Sequence, residues 1–317
     1  MKERKVQMKI VTYRELESKN SLLPLLDHAF GWTFNPRTFE TIIKIDPRLK
    51  NSPVGFFAVE KGNVIGSVGV MDMVTRTLNG SIEYVGGIYG VATLPSHVRK
   101  GVSTALMNAA HQHFKVKGYS FSFLWTSRAL VAHAMYEKLG YVDMLERSTA
   151  YKVLEAEKNK CIHKEKASKL DLKDILKIYD KYVKSRAGFV LRDKAYMNTL
   201  RRTESLSAKD CIIDKDGYAI FKTNLGGPWI RGTWIRELVA LNAGAMGRLL
   251  RLVEKKSKDL IYDRAVFDDA LLEVYKSRGY MIQKRSHSTL MVKPINAKES
   301  FKQTYGEKFY LTSLDFF

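Results

Sequence analysis

The chain repeats itself, and the repeat limits what it can fold into. Tyr136-Glu-Lys-Leu-Gly-Tyr141 returns as Tyr275-Lys-Ser-Arg-Gly-Tyr280, two Tyr-x-x-x-Gly-Tyr segments at an offset of 139 residues. Gly62, in one hairpin turn, is answered by Gly217 at 155 residues, and Phe39, on the apolar side of a helix, by Tyr196 at 157. Matches that keep their order mark a duplicated unit. The shrinking offset makes the second copy shorter in its later elements. A length of 317 residues suits two cores better than one.

Both copies carry the same succession of elements. In the first, Met8–Thr12 reads as a strand, and Leu22, Leu25, Leu26 and Ala29 keep helical spacing around Pro24. Asn35-Pro36 starts a helix that Asp46-Pro47 ends. Two strands joined by Lys61-Gly62-Asn63 follow, and Leu78-Asn79-Gly80-Ser81 turns the chain into a third, Ile82–Thr93. A helix begins near Val102 and stops at Gly118. Tyr119–Thr126 is apolar almost throughout, as in a strand buried on both faces. Ala129–Leu139 is a short helix, and Tyr141–Val153 reads as a closing pair of strands. The second copy runs from a helix at Leu170–Val183 to strands ending at Val292. This predicts an α/β (α+β) fold: two tandem modules, each a mixed, mostly antiparallel sheet flanked by helices. The predicted boundaries are 1–155 for the first module, 156–295 for the second and 296–317 for a tail; charged Leu154–Ser168 is the expected linker.

Composition narrows the setting. Apolar residues make up 45%, ordinary for a globular protein, and no apolar run is long enough to span a membrane. The charged opening MKERKVQMKI has no apolar core after it, so no secretory leader is expected. Two cysteines, Cys161 and Cys211, point to a reducing compartment, and a cytoplasmic protein is the expectation. The net charge is +20, of which +7 falls in residues 1–155 (20 basic, 13 acidic) and +13 in 156–317 (33 basic, 20 acidic). A basic surface draws anions, but a solvated lysine-rich surface has the same count. His97, His111, His113 and His133 match no metal-ligand spacing, so no metal is expected.

Chemistry concentrates in Ile88–Gly140. A strand ends in Arg99-Lys100-Gly101 and becomes a helix, which presents backbone N–H groups and a positive helix end to an anion. Gly101 permits close approach, Arg99 and Lys100 add charge, and Ser103 or Thr104 can donate a hydroxyl. Downstream, Tyr136 is a phenol that stays protonated at neutral pH. A core aromatic would occupy that helical position equally well.

The segment Gly90-Val91-Ala92-Thr93-Leu94-Pro95-Ser96-His97-Val98-Arg99-Lys100-Gly101-Val102-Ser103-Thr104 resembles the cofactor loop of the GNAT superfamily of acyl-CoA N-acyltransferases. The family pattern is an apolar strand, a Pro, then Gln/Arg-x-x-Gly-x-Gly/Ala; Val98 replaces the usual Gln or Arg, and Ser103 the Gly or Ala. Ala134-Met-Tyr-Glu-Lys-Leu-Gly-Tyr141 resembles the family's second landmark. The tandem arrangement resembles the Eis-like acetyltransferases, without their sterol-carrier-like domain. The resemblance implies acetyl-CoA as acyl donor, held by Val91, Ala92, Thr93, Val98, Arg99, Lys100, Gly101, Val102, Ser103 and Thr104. It implies direct transfer to an acceptor amine, small-molecule or peptide, with a strand-end amide polarising the thioester carbonyl and Tyr136 protonating the leaving thiolate. In the second copy Leu241-Asn-Ala-Gly-Ala-Met-Gly-Arg248 lacks the Arg-Lys pair, so no CoA is expected there.

A carboxylate should take the amine's proton. In Eis-like enzymes the free C-terminus does so, and the aromatic tail makes Phe317 the candidate, with Asp315, Glu83 and Asp72 as others. Two readings from other classes compete. One is a tandem-GNAT peptidyltransferase using aminoacyl-tRNA; the other is a non-catalytic module whose basic second half grips nucleic acid. The transferase reading disfavours a nucleic-acid partner, needs no membrane, and leaves room for a homo-oligomer.

Overall fold

A computed structural model describes residues 8–31, 33–154, 172–225, 232–284 and 288–315. Most of the expected linker, from Glu155 on, and Phe317 lie outside these residues. The first copy runs β1 (Lys9–Thr12), α1 (Leu23–Phe30), α2 (Pro36–Ile45), β2 (Gly55–Glu60), β3 (Asn63–Arg76), β4 (Ile82–Thr93), α3 (Val102–Val116), β5 (Phe121–Ser127), α4 (Val131–Lys138), β6 (Val142–Leu145) and β7 (Ser148–Val153). The second runs α5 (Leu172–Val183), β8 (Ala187–Gly188), α6 (Lys194–Thr203), β9 (Cys211–Asp214), β10 (Gly217–Leu225), β11 (Gly232–Ala240), α7 (Ala243–Lys256), β12 (Leu260–Val266), α8 (Asp269–Ser277), β13 (Met281–Gln283) and β14 (Ser288–Pro294). The tail forms α9 (Phe301–Tyr305) and β15 (Phe309–Tyr310).

Local chemistry sets many of these ends. Pro36 opens α2 behind Asn35, whose side chain accepts from the Thr38 amide at 3.1 Å. Asn242 caps α7 in the same way through the Ala245 amide at 2.9 Å.

The sheets follow one plan with an unexpected exchange. The first runs β1-β2-β3-β4-β5-β14-β6, and the second β13-β7-β12-β11-β10-β9. In each, antiparallel strands lead to a central parallel pair, β4 with β5 and β11 with β12; a short parallel pair, β8 with β15, also joins the first sheet beside β3. The closing strands of the two copies have changed places. β14 enters the first sheet between β5 and β6, with Leu290 opposite Trp125 and Leu145. β7 enters the second between β12 and β13, with Tyr151 opposite Tyr262 and Met281. Each strand opens with Ser-Thr, so each can occupy the other's slot. The larger side chains of β14 fill both faces of the first sheet: Leu290, Met291 and Val292 are buried. Burying them stabilises that sheet by roughly 2 kcal/mol per side chain.

On one face of the first sheet α3 and α4 cover Val68, Val70, Ile88, Leu124 and Met291. On the other, α1 and α2 pack with Met71, Met73 and Phe123, and the tail adds Phe301, Tyr305 and Phe309. The tail then crosses to the second module, where Tyr310 and Leu314 join the core of α5 and α6. A buried ion triad holds it there, with Arg192 between Glu237 (2.7 Å) and Asp315 (2.9 Å).

Candidate active site

The parallel pair β4–β5 holds together only briefly. Gly86↔Ser122, Gly87↔Phe123 and Ile88↔Leu124 are paired, and beyond them the strands part. The cause lies in β4. Between the pairs Ser67↔Ala92 and Gly69↔Tyr89, β4 holds one residue more than β3, a bulge. Gly90 takes φ +56°, and its carbonyl accepts from Ser67 Oγ at 2.8 Å. The Tyr89 ring lies over Gly69, where a Cβ would come within 2.5 Å, and its hydroxyl donates to the Val54 carbonyl at 2.9 Å. β5 meanwhile keeps its other edge on β14 through Ser127↔Ser288. A wedge opens whose walls are Tyr89–Thr93 and Trp125–Ser127, with backbone groups facing inward. An amide-bearing chain can pair with such free edges.

At the mouth of the wedge lies the basic loop. Pro95–His97 makes a single turn, and His97 is held by Glu60 at 2.8 Å and Ser96 at 2.9 Å. Arg99 adopts φ +64° and Gly101 φ +79°, which aims the loop outward. Val98, Arg99, Lys100 and Gly101 are exposed. Gly101 is the N-cap of α3, and no side chain caps that helix, so the first-turn amides keep their donors for an outside anion. Thr93 Oγ1 meets Ser103 Oγ at 2.7 Å, and Thr104 is exposed. Ala92 and Val102 are buried, so what they can offer a ligand is backbone. Val91 is half-buried against the α3 core. The loop thus fits a pyrophosphate by donor supply, charge and access.

Tyr136 projects from α4 into the core that contains Ile88 and Leu124, at the base of the wedge. Burial pushes its phenol up to about 12, so it holds its proton at neutral pH. Its ring stands edge-on to Tyr141 at 6.0 Å. The Tyr141 hydroxyl bonds Ser122 Oγ at 2.6 Å and His111 Nε2 at 2.9 Å. Burial pulls His111 down to about 4, which keeps this cluster neutral.

Of the carboxylate candidates, Asp72 and Asp315 line one cavity on the sheet face opposite α3, whereas Glu83 lies apart from the loop. Glu83 sits toward the other end of β4, about 26 Å from Val91 at the rise of a strand. There it accepts from Tyr305 at 3.4 Å; the structure does not bring it to the loop or Tyr136. Asp72 approaches His113 of α3 at 4.0 Å. Asp315 is gripped by Arg192, by the Thr312 amide at 2.9 Å and by the Tyr196 hydroxyl at 3.3 Å. Phe317 follows Asp315 by two positions, outside the described residues.

Sequence reasoning missed a cavity of about 350 Å³ on the face opposite α3, lined by Arg48, Met73, Arg192, Asp193, Tyr196 and Asp315 among others. Asp46 holds Arg48 at 2.9 Å, and Arg48 lies 5.1 Å over the Tyr196 ring. Of the cavity's lining, Asp72 and Asp315 carried a signal as candidate bases and Tyr196 as a repeat match.

The second module is an internal control. Its parallel pair also parts, after Ile235↔Asp263, yet the space there is only about 10 Å³, with Tyr182 and Tyr310 in its walls. Asn242 caps α7 by accepting from the Ala245 amide, and Tyr275 donates to buried Asp263 at 3.0 Å. No such hydrogen bond engages Tyr136 among the described residues. Also among them, no helix is long and apolar enough to cross a membrane, and no cluster of His, Cys, Asp or Glu could hold a metal ion.

Residues 12–143 match the family model described as the acetyltransferase (GNAT) domain. The fold is similar to a GCN5-related N-acetyltransferase from Kribbella flavida, with TM-score 0.65 and 15% identity over 91% of this chain and 72% of that one. It is similar to another from Anabaena variabilis, with TM-score 0.62 and 17% identity over 92% and 73%. Eis1 from Mycobacterium abscessus aligns with TM-score 0.57 and 17% identity over 91% and 74%. At these identities the likeness is one of fold. No curated protein matches the sequence.

Proposed function

We propose that the chain, whose residues 12–143 match the acetyltransferase (GNAT) domain, is an acyltransferase that moves the acetyl group of acetyl-CoA directly to an acceptor amine, with Tyr136 as general acid. The observation that carries this is the contrast between the two wedges. One parts after Ile88, ends on uncapped amides beside Arg99 and Lys100, and has a phenol with no competing hydrogen bond among the described residues. The other is filled, capped and tied to a carboxylate.

In this reading the amides of Gly101 to Thr104 and the two basic side chains hold the donor's phosphates. The free edges of β4 and β5 align its amide-bearing arm, and a β4 amide near Val91 polarises the carbonyl. The amine attacks that carbonyl carbon. The N–C bond forms, the C–S bond breaks with its electron pair on sulfur, and sulfur takes the Tyr136 proton. The proton shed by the amine passes to water or a carboxylate.

Incubation with acetyl-CoA and a panel of amines, following free thiol, tests this. Amine-dependent thiol release is expected, and Tyr136→Phe should lower kcat about 100-fold. RNA binding with a steep salt dependence and no acetyl-CoA affinity would overturn it.

A further inference from the structure

The helix that presents Tyr136 cannot hold itself in place. α4 has eight residues, fewer than an isolated helix needs; the carbonyls of Met135, Tyr136 and Glu137 are taken by the amides of Leu139, Tyr141 and Gly140 just past its end, and the carbonyl of Leu139 is left to the rest of the chain. At its start, His133 reaches Asp143 of β6 at 3.1 Å. Its end is held from the far part of the chain: Lys293 Nζ donates to the Leu139 carbonyl at 2.6 Å. Leu139 is the C-cap, where the negative end of the helix favours a cation.

Lys293 stands on β14, the strand delivered by the second copy, and its stem runs beside Gly140. Burial lowers its pKa, and among the described residues no carboxylate pairs with it, so the carbonyl is its polar anchor. Its register partner on β5 is Ser122, which bonds the Tyr141 hydroxyl. The Tyr141 amide donates to the Tyr136 carbonyl at 3.0 Å, and its ring meets Tyr136 edge-on. β14 therefore touches the Tyr136 turn twice, through the lysine at the helix end and through Ser122 and Tyr141 behind the ring.

We propose that Lys293 is a positioning residue for Tyr136, so that the second copy sets the geometry of proton delivery to the leaving sulfur. The proposal rests on the reading of Tyr136 as general acid. Lys293→Met should lower kcat with acetyl-CoA about 10-fold and leave its KM within about twofold, while Lys293→Arg restores most of the rate. A donor whose thiol is much more acidic than CoA, such as a p-nitrothiophenyl acetyl ester, leaves without protonation. With it, the deficits of Lys293→Met and Tyr136→Phe should both shrink. An equal loss with both donors, or a lower melting temperature at unchanged kcat, makes Lys293 structural and overturns the inference alone. A Tyr136→Phe enzyme as fast as the parent removes the general-acid reading and the inference with it. Lys293→Gln, which keeps a donor without charge, is measured alongside and decides the matter if Lys293→Met does not fold.

Discussion

At the scale of single residues, Asp315 shows how a candidate base can already be engaged. Its carboxylate shares a buried triad with Arg192 and Glu237, so Asp315→Asn should destabilise the protein by about 3 kcal/mol, read from urea midpoints. Removing Phe316 and Phe317 keeps the three triad side chains and moves the terminal carboxylate back onto Asp315; unchanged kcat/KM rules Phe317 out. Two buried groups make opposite contributions to acid stability. Burial raises Asp263 from 3.8 to about 6, so its contribution is complete below pH 4 and is lost as pH rises toward 6, up to about 3 kcal/mol. Burial lowers His111 from 6.5 to about 4, so its contribution is present above pH 6.5 and is lost as pH falls toward 4. Asp263→Asn should therefore leave stability rising with pH between 4 and 6.5, and His111→Gln should leave it falling. Parallel pH series of urea melts for the two variants check this.

At the scale of elements, most of the architecture was legible. The hairpin turn at Gly62, the helix after Gly101 and the short helix carrying Tyr136 stand where periodicity and glycine put them. Two things were not. β7 and β14 both open with Ser-Thr, and although β14 is apolar across Leu290–Val292 where β7 is not, no local signal states which sheet each joins. The cavity draws Arg48, Arg192 and Asp315 from distant elements, so no local spacing could announce it. The loop, being local, was legible, and it supports a specific expectation. Gly101 holds φ +79° with open space around its α-carbon, so Gly101→Ala meets strain without a clash. The KM for acetyl-CoA should rise about 10-fold while the melting temperature drops only slightly. Arg99→Ala with Lys100→Ala should weaken donor binding and flatten its dependence on salt.

At the scale of the molecule, the two copies are interlocked. Residues 1–155 alone would lack β14, leaving the edges of β5 and β6 bare, and residues 156–317 alone would lack β7. Exposed edges of this kind pair with one another across chains. Each fragment expressed singly should aggregate, whereas the two expressed together should recover a one-to-one complex with acyl transfer, as measured by size exclusion and thiol release. The exchange also bears on descent. After a duplication the spare copy is usually free to decay, but here each copy is a structural component of the other. A lineage could strip the second copy of its phosphate loop and fill its wedge with Tyr310, yet it could not discard that copy without also dismantling the first.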